Sequence, residues 1–205
     1  MALCVRKCWF SPKTCVEKCK HLTISCVEKC KAMKRKIYKE LVDWKNREQH
    51  KPLILNGVRQ CGKTYILKEF GRNEFDNLAY ISCDRNESLH AIYAGDFDTA
   101  RIIRGLSALT GVDIIPGKTL IFLDEVQAFP QALEALKYFC EDAPEYHIVV
   151  AGSLLGVALH AGISFPVGKV QSMRLFPMDF EEFLMAMGED QLLCLMHNKD
   201  YGVMN

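Results

Sequence analysis

The sequence lacks the features that direct a chain into a membrane or along the secretory route. No apolar run approaches the about 18 residues that a membrane-spanning helix needs. The N-terminus has no apolar signal core, because Arg6 and Lys7 follow "ALCV" at once. Hydrophobic residues make up 49% and charged residues 25% of the 205 residues, which is typical of one soluble domain with a small appendage. We therefore expect a cytoplasmic protein with no membrane partner.

A strong excess of one charge sign is also absent from the chain as a whole, whose formal net charge is +1. This small net charge hides an uneven distribution of charged residues along the chain. Residues 1–39 carry 11 Lys and Arg against 2 Asp and Glu, whereas the rest carries 15 against 23. The part after residue 39 is therefore mildly acidic and offers no overall basic surface for DNA. A local basic patch stays open, so DNA binding is neither predicted nor excluded.

Cysteine is scarce outside the N-terminus, where six of the ten cysteines lie within the first 30 residues. Residues 1–36 repeat with a period of 11, as "CVRKCWFSPKT", "CVEKCKHLTIS" and "CVEKCKAMKRK". Eleven residues nearly complete three helical turns, so on a helix these thiols would share one face. Zinc sites mostly use C-x2-C spacing, whereas the spacing here is C-x3-C, and zinc is therefore not expected. We predict that residues 1–32 form a basic, poorly packed extension.

The stretch "LILNGVRQCGKTYIL" at residues 53–67 fits the phosphate-binding pattern G-x-x-x-x-G-K-[ST]. In that pattern Lys63 places a charge near the β- and γ-phosphates, and Thr64 offers a hydroxyl to Mg²⁺. The apolar "PLILN" before the loop predicts a buried strand, and the residues after it predict a helix with Gly71 as its stop. The predicted nucleotide-binding residues are Gly57, Val58, Arg59, Gln60, Cys61, Gly62, Lys63 and Thr64.

Two further apolar strands end in polar side chains suited to nucleotide chemistry. "TLIFLDEVQ" at residues 119–127 ends in two carboxylates, of which Asp124 is predicted to hold Mg²⁺ through water. Glu125 is predicted to be the general base that polarises the attacking water. "YHIVVAGS" ends in Ser153, which we interpret as a contact for the γ-phosphate or the water. A Gly-Ser pair on its own would indicate only a turn.

Apolar periodicity predicts an alternation of strands and helices along the chain. The predicted strands lie at 52–57, 78–83, 119–124, 147–151 and 169–176. The predicted helices lie at 34–48, 63–70, 86–94, 98–109, 130–141, 153–160, 179–187 and 190–197. Such alternation is typical of an α/β fold with a doubly wound parallel sheet, whose ligands bind at the carboxyl ends of the strands.

With these motifs in place, residues 33–190 resemble a prokaryotic AAA+-type P-loop ATPase family. The resemblance rests on "GVRQCGKT", "LDEVQAFPQALEALKYF", "AGSLLGVAL" and "VGKVQSMRLFPMDFEEFL". Arg59, Gln60 and Gln127 are typical of this family and go beyond a generic P-loop. The resemblance implies an AAA+-like core with strand order 5-1-4-3-2 and ATP with Mg²⁺ as ligands. Family members usually continue into a restriction-endonuclease-like domain, so residues 191–205 are interpreted as the start of a truncated C-terminal region.

The late motif departs from the family pattern, because Lys169 stands where the resemblance implies Arg. Lysine keeps the positive charge but loses the planar fork of arginine. The resemblance also implies that a neighbouring subunit completes the site with a positive charge, for which Lys169 is the candidate. We therefore expect tight ATP binding but slow hydrolysis by the isolated chain. We also expect the ATPase site to be completed by self-association, by the missing domain or by a partner chain.

Other functions remain in competition with an ATPase motor or switch. One is a nucleotide-binding remnant or interaction module without useful turnover. A GTPase is disfavoured, because "DEVQ" is not D-x-x-G and "NKDY" at 198–201 is not N-K-x-D. A helicase would need a second RecA-like domain, which the sequence does not show. The process that ATP would drive is not evident from the sequence.

Overall fold

The computed structural model describes residues 35–153 and 168–198. Residues 1–34 with nearly all of the cysteine repeat, nearly all of the helix predicted at 153–160 and the residues after 198 lie outside the described part. Of the described residues, 37–177 form one compact unit, whereas 35–36 and 178–198 form another. The sequence predicted one domain over residues 33–190. The two compact units divide that range after residue 36 and after residue 177. In the described ranges no helix is long and apolar enough to cross a membrane.

The larger unit is built on a five-stranded sheet in which all neighbouring strands are parallel. The strands are β1 (Leu53–Gly57), β2 (Asn77–Ser82), β3 (Thr119–Asp124), β4 (His147–Gly152) and β5 (Gln171–Leu175). Their spatial order is β2-β3-β4-β1-β5, which is 5-1-4-3-2 when read from the β5 edge. The predicted α/β fold with a parallel sheet is confirmed.

Helices cover both faces of the sheet, which explains why every residue of β3 and β4 is buried. The helices of this unit are α1 (Ile37–Lys45), α2 (Lys63–Glu74), α3 (Ser88–Ile92), α4 (Thr99–Thr110) and α5 (Gln131–Asp142). The smaller unit contains α6 (Phe180–Met187) and α7 (Asp190–Asn198). Apolar residues of α1 and α2 pack on one face with Leu53 and Leu55. Those of α4 and α5 pack on the other face with Ile54, because successive residues of a strand point to opposite faces.

The helix after the phosphate loop does not stop at Gly71. Helix α2 continues through this glycine to Glu74. A Cβ at residue 71 would lie 2.7 Å from Leu78 Cδ1 and 3.2 Å from Leu120 Cδ2. The glycine therefore lets the helix approach β2 and β3 closely. The interpretation of Gly71 as a helix stop was wrong. A glycine is needed here because the helix packs closely on the sheet, and the helix does not end at this residue.

The smaller unit is held by ion pairs that join its two sequence segments. Arg35 Nε lies 3.0 Å from Glu182 Oε2, and both side chains are buried. Lys36 Nζ lies 2.7 Å from Asp179 Oδ2. Asp179 and Glu182 also form a capping box at the start of α6, which satisfies backbone N–H groups that the helix leaves unpaired.

A buried histidine lies in an aromatic cluster at the amino end of β4. The His147 ring stacks on the His50 ring with 3.8 Å between centroids, and it makes T-shaped contacts with the rings of Trp44 and Phe75. His147 Nε2 lies 3.2 Å from the Lys45 carbonyl oxygen, so this nitrogen donates the hydrogen bond. Its Nδ1 atom is buried without a hydrogen-bond partner in the described part of the chain. Burial, followed by the nearby His50, lowers the pKa of His147 to about 4.

This histidine is expected to make the domain less stable in mild acid. Its folded-state pKa lies below the usual 6.5, so the unfolded chain binds the proton more readily and stability falls as pH drops from about 6.5 towards 4. We expect His147 to contribute a loss on the order of 1–2 kcal/mol between pH 7 and pH 5. Urea unfolding at the two pH values measures this loss, which should shrink in His147→Phe but not in His90→Phe at an exposed position. An equal pH dependence in wild type and His147→Phe would contradict the assignment.

Candidate functional site

The loop between β1 and α2 takes backbone conformations that glycine favours. Gln60 and Gly62 both have positive φ, at 65° and 96°. Gly57 is fixed by a different constraint, because a Cβ there would lie 2.5 Å from the Leu175 carbonyl oxygen and 2.9 Å from Cys61 Sγ. The loop therefore lies directly against the end of β5. Any side chain at residue 57 would force the loop and the strand apart.

Lys63 begins α2 and turns back onto the loop. Its side chain is buried, and Nζ donates hydrogen bonds to the carbonyl oxygens of Gly57 at 2.9 Å and Val58 at 2.8 Å. These carbonyls stabilise an ammonium that would otherwise be costly to bury. The loop also ends at the N-terminus of α2, where the helix dipole favours anions. Charge and dipole together suit this place to phosphate groups.

Asp124 and Thr64, the two residues that the sequence predicts to hold Mg²⁺, lie in contact. Thr64 Oγ1 donates to Asp124 Oδ2 at 2.8 Å, and the Glu125 N–H donates to Asp124 Oδ1 at 3.0 Å. A hydroxyl and a carboxylate are the oxygen ligands that Mg²⁺ accepts, usually beside waters and substrate phosphates. The residues present therefore fit Mg²⁺. Mg²⁺ held by these two groups would take its remaining ligands from phosphate and water. In the described ranges no group of three or more His, Cys, Asp or Glu could hold a metal ion.

Glu125 takes the left-handed conformation, with φ at 53°, which is uncommon for a residue other than glycine. Its Oε2 accepts a hydrogen bond from Gln127 Nε2. Such strained residues concentrate at functional sites, where the surrounding structure holds them in place. Gln127 thus restrains the carboxylate that the sequence predicts to be the general base.

One cavity of about 250 Å³ is lined by predicted site residues from three places: the phosphate loop, the turn after β3 and the end of β4. Gly57, Val58, Cys61 and Asp124 are not among its lining residues. Ser153 reaches it because β4 lies between β1 and β3, so the carboxyl ends of all three strands meet at one edge. A larger groove of about 640 Å³ runs beside β2 but includes no residue of the phosphate loop. The smaller cavity is lined by Arg59, Gln60, Gly62, Lys63, Thr64, Tyr65, Glu125 and Ser153.

The structure does not bring Lys169 to this cavity. Lys169 precedes β5 at the amino edge of the sheet, whereas the phosphate loop follows β1 at the carboxyl edge. Its Nζ lies 3.0 Å from Glu141 Oε1, at the C-terminal end of α5. The side chain therefore cannot act on a nucleotide in its own chain. The predicted catalytic role would require a neighbouring copy.

Sequence reasoning missed two residues beside Asp124. The Tyr80 hydroxyl lies 3.4 Å from Asp124 Oδ2, and Lys68 Nζ lies 3.4 Å from the centre of the Tyr80 ring. Neither residue belongs to a phosphate-binding motif, and the sequence indicated for Tyr80 only a place within the strand predicted at 78–83. Their contacts depend on the pairing of β2 with β3.

The parallel sheet, with its glycine-bounded loop at the carboxyl end of β1, defines an α/β domain of the P-loop NTPase type. The family model of the AAA domain matches residues 49–184, and the chain belongs to this family. The match confirms the coarse expectation of an AAA+-type P-loop ATPase core.

Comparison with solved structures and curated proteins adds little to this family assignment. The chain is similar to the ORC1 protein of Aeropyrum pernix, solved in complex with DNA, at 15% identity and a TM-score of 0.47. The similarity covers 76% of this chain and 48% of that one, so this chain spans about half the length of the ORC1 chain. No curated protein matches the sequence.

Proposed function

We propose that the chain is an ATP-binding core that requires Mg²⁺ and hydrolyses ATP slowly on its own. The observation that supports this proposal best is the convergence of Lys63, Thr64, Glu125 and Ser153 on one cavity, with Asp124 bonded to Thr64. The loop from Gly57 to Thr64 would hold the phosphates with its backbone N–H groups. Lys63 would exchange its two carbonyl partners for phosphate oxygens, to which an ammonium binds more strongly.

Thr64 and Asp124 are the residues that would hold Mg²⁺. When bound, the ion would neutralise phosphate charge. Glu125 would accept a proton from the attacking water, and the Gln127 amide would orient its carboxylate. Ser153 would donate its hydroxyl to the γ-phosphate or to the water from the end of β4.

Slow turnover follows from the position of Lys169 on the opposite edge of the sheet. A completing charge from another subunit can be worth about a thousandfold or more in rate. Without it, we expect turnover below about 1 s⁻¹, the low end for enzymes. The alternative function is a nucleotide-binding module without useful turnover. The contacts of Lys63 with two carbonyl oxygens of its own loop favour this alternative, because the ammonium must leave them before it can bind phosphate.

Calorimetry with ATP and Mg²⁺, followed by phosphate release over a wide range of protein concentrations, tests the proposal. We expect binding at every concentration and turnover that rises where the chain self-associates. Lys169→Arg should raise turnover only under those self-associating conditions. Absence of binding would refute the proposal, and binding without phosphate release at any concentration would favour the alternative. A second series with added DNA would show whether DNA changes the rate.

A further inference from the structure

The Asp124 carboxylate has a hydrogen-bond donor that belongs to no phosphate-binding motif. Two of its donors, the Thr64 hydroxyl and the Glu125 N–H, come from the loop and from the turn after β3. The third, the Tyr80 hydroxyl, comes from the neighbouring strand β2 and lies 3.4 Å from Oδ2. Tyr80 therefore contacts, from the neighbouring strand β2, the same carboxylate oxygen that Thr64 contacts from the phosphate loop.

The register of the sheet determines this contact. Tyr80 pairs with Phe122 across β2 and β3, and their ring centroids are 5.3 Å apart. Asp124 lies two residues after Phe122, so its side chain leaves β3 on the same face as the two rings. A tyrosine at this register position extends diagonally along the face until its hydroxyl reaches the carboxylate.

Helix α2 fixes the tyrosine ring from above. Lys68 Nζ lies 3.4 Å from the ring centroid, where an ammonium is attracted to the aromatic face. The phenol O–H is the donor in the contact with the carboxylate. The ring therefore contacts Phe122 on the sheet and Lys68 on helix α2, while its hydroxyl contacts Asp124.

We propose that Tyr80 is a positioning residue for the metal-binding carboxylate of Asp124, through the hydrogen bond from its hydroxyl. This inference rests on the proposed function, because it assigns Mg²⁺ to Thr64 and Asp124. Groups that hydrogen-bond a metal ligand orient it, and their loss typically weakens metal binding by about 10- to 100-fold. Tyr80 would thereby set how strongly Mg²⁺ strengthens ATP binding.

Tyr80→Phe removes the hydroxyl while keeping the ring and its contacts with Phe122 and Lys68. The matched control is Tyr38→Phe, since the Tyr38 hydroxyl donates to another carboxylate, Glu74 Oε1, at 3.0 Å. Both tyrosines are partly buried against the same apolar cluster. Thermal melting should show both variants folded, so a change specific to Tyr80→Phe reports on the site.

The measurement is the ratio of the ATP dissociation constant in EDTA to that in Mg²⁺, obtained by calorimetry on the full chain. We expect Tyr80→Phe to reduce this ratio about tenfold, chiefly by weakening ATP binding in Mg²⁺, and Tyr38→Phe to leave it unchanged. If the ratio is large in wild type and unchanged in Tyr80→Phe, the role of Tyr80 is refuted while the proposed Mg²⁺ site stands. A wild-type ratio near one would overturn both the inference and the proposed Mg²⁺ site.

Discussion

A Lys63→Ala variant is expected to lose at least about a hundredfold in ATP affinity while keeping its fold. The ammonium lies within the loop and is already desolvated, so its hydrogen bonds to phosphate oxygens would be charge-assisted. Bonds to charged groups contribute about 1.5–3 kcal/mol each, and two of them exceed the 2.7 kcal/mol that corresponds to a hundredfold change in the dissociation constant. Calorimetry with ATP and Mg²⁺ measures the loss directly.

The fold should tolerate this substitution, because the hydrogen bonds of Lys63 within the described residues, to two carbonyl oxygens and to Cys61 Sγ, all lie within its own loop. Residues 58–60 of the loop are exposed, so water can replace the ammonium at Val58. Lys137→Ala, an exposed lysine on α5, is the matched control and should bind ATP as wild type does. Equal ATP affinity in Lys63→Ala and wild type would refute the proposal that this loop binds the phosphates.

A Glu125→Gln variant is expected to lose about 10²- to 10⁴-fold in ATP hydrolysis, the range that general-base catalysis contributes. ATP binding should be preserved or tightened, since the variant removes a negative charge from the cavity that would hold the phosphates. Glutamine has nearly the same shape as glutamate and keeps an oxygen that accepts the hydrogen bond from Gln127 Nε2. The loss would therefore report on the missing base and not on a collapsed site.

Single-turnover phosphate release with protein in excess separates this chemical step from product release. Glu145→Gln provides the control, because Glu145 is exposed just before β4 at the other edge of the sheet. Hydrolysis at the wild-type rate in Glu125→Gln, independent of protein concentration, would refute two proposals. These are the role of Glu125 as the general base and the need for a charge from another subunit. The Lys63 and Glu125 variants together distinguish binding from chemistry, because only the first should abolish the complex.

Much of the fold could be predicted because its signals are local. The apolar run "TLIFLD" predicted β3 at residues 119–124, where the structure has it. The glycine-bounded loop predicted a turn from strand to helix, and α2 begins at Lys63. Parallel strands that alternate with helices must present their carboxyl ends at one edge, so the meeting of Asp124 with Thr64 also followed from the order of elements.

Contacts made through register could not be predicted in the same way. Tyr80 reaches Asp124 only because β2 and β3 pair with Tyr80 opposite Phe122. Lys169 resembled a site residue, yet the direction of β5 places it at the far edge of the sheet beside Glu141. A motif specifies which residues are present, but the pairing of strands decides which edge they occupy.

The sequence by itself determined the class of this protein, since strand, loop and helix signals within about ten residues define the phosphate loop and the order of the α/β elements. Only the tertiary structure decided the role of Gly71, which lies within a helix and lets it approach Leu78. It also decided the environment of His147, where burial beside His50 and Trp44 lowers the pKa. Close approach and desolvation depend on residues far apart in the chain, so no local pattern records them.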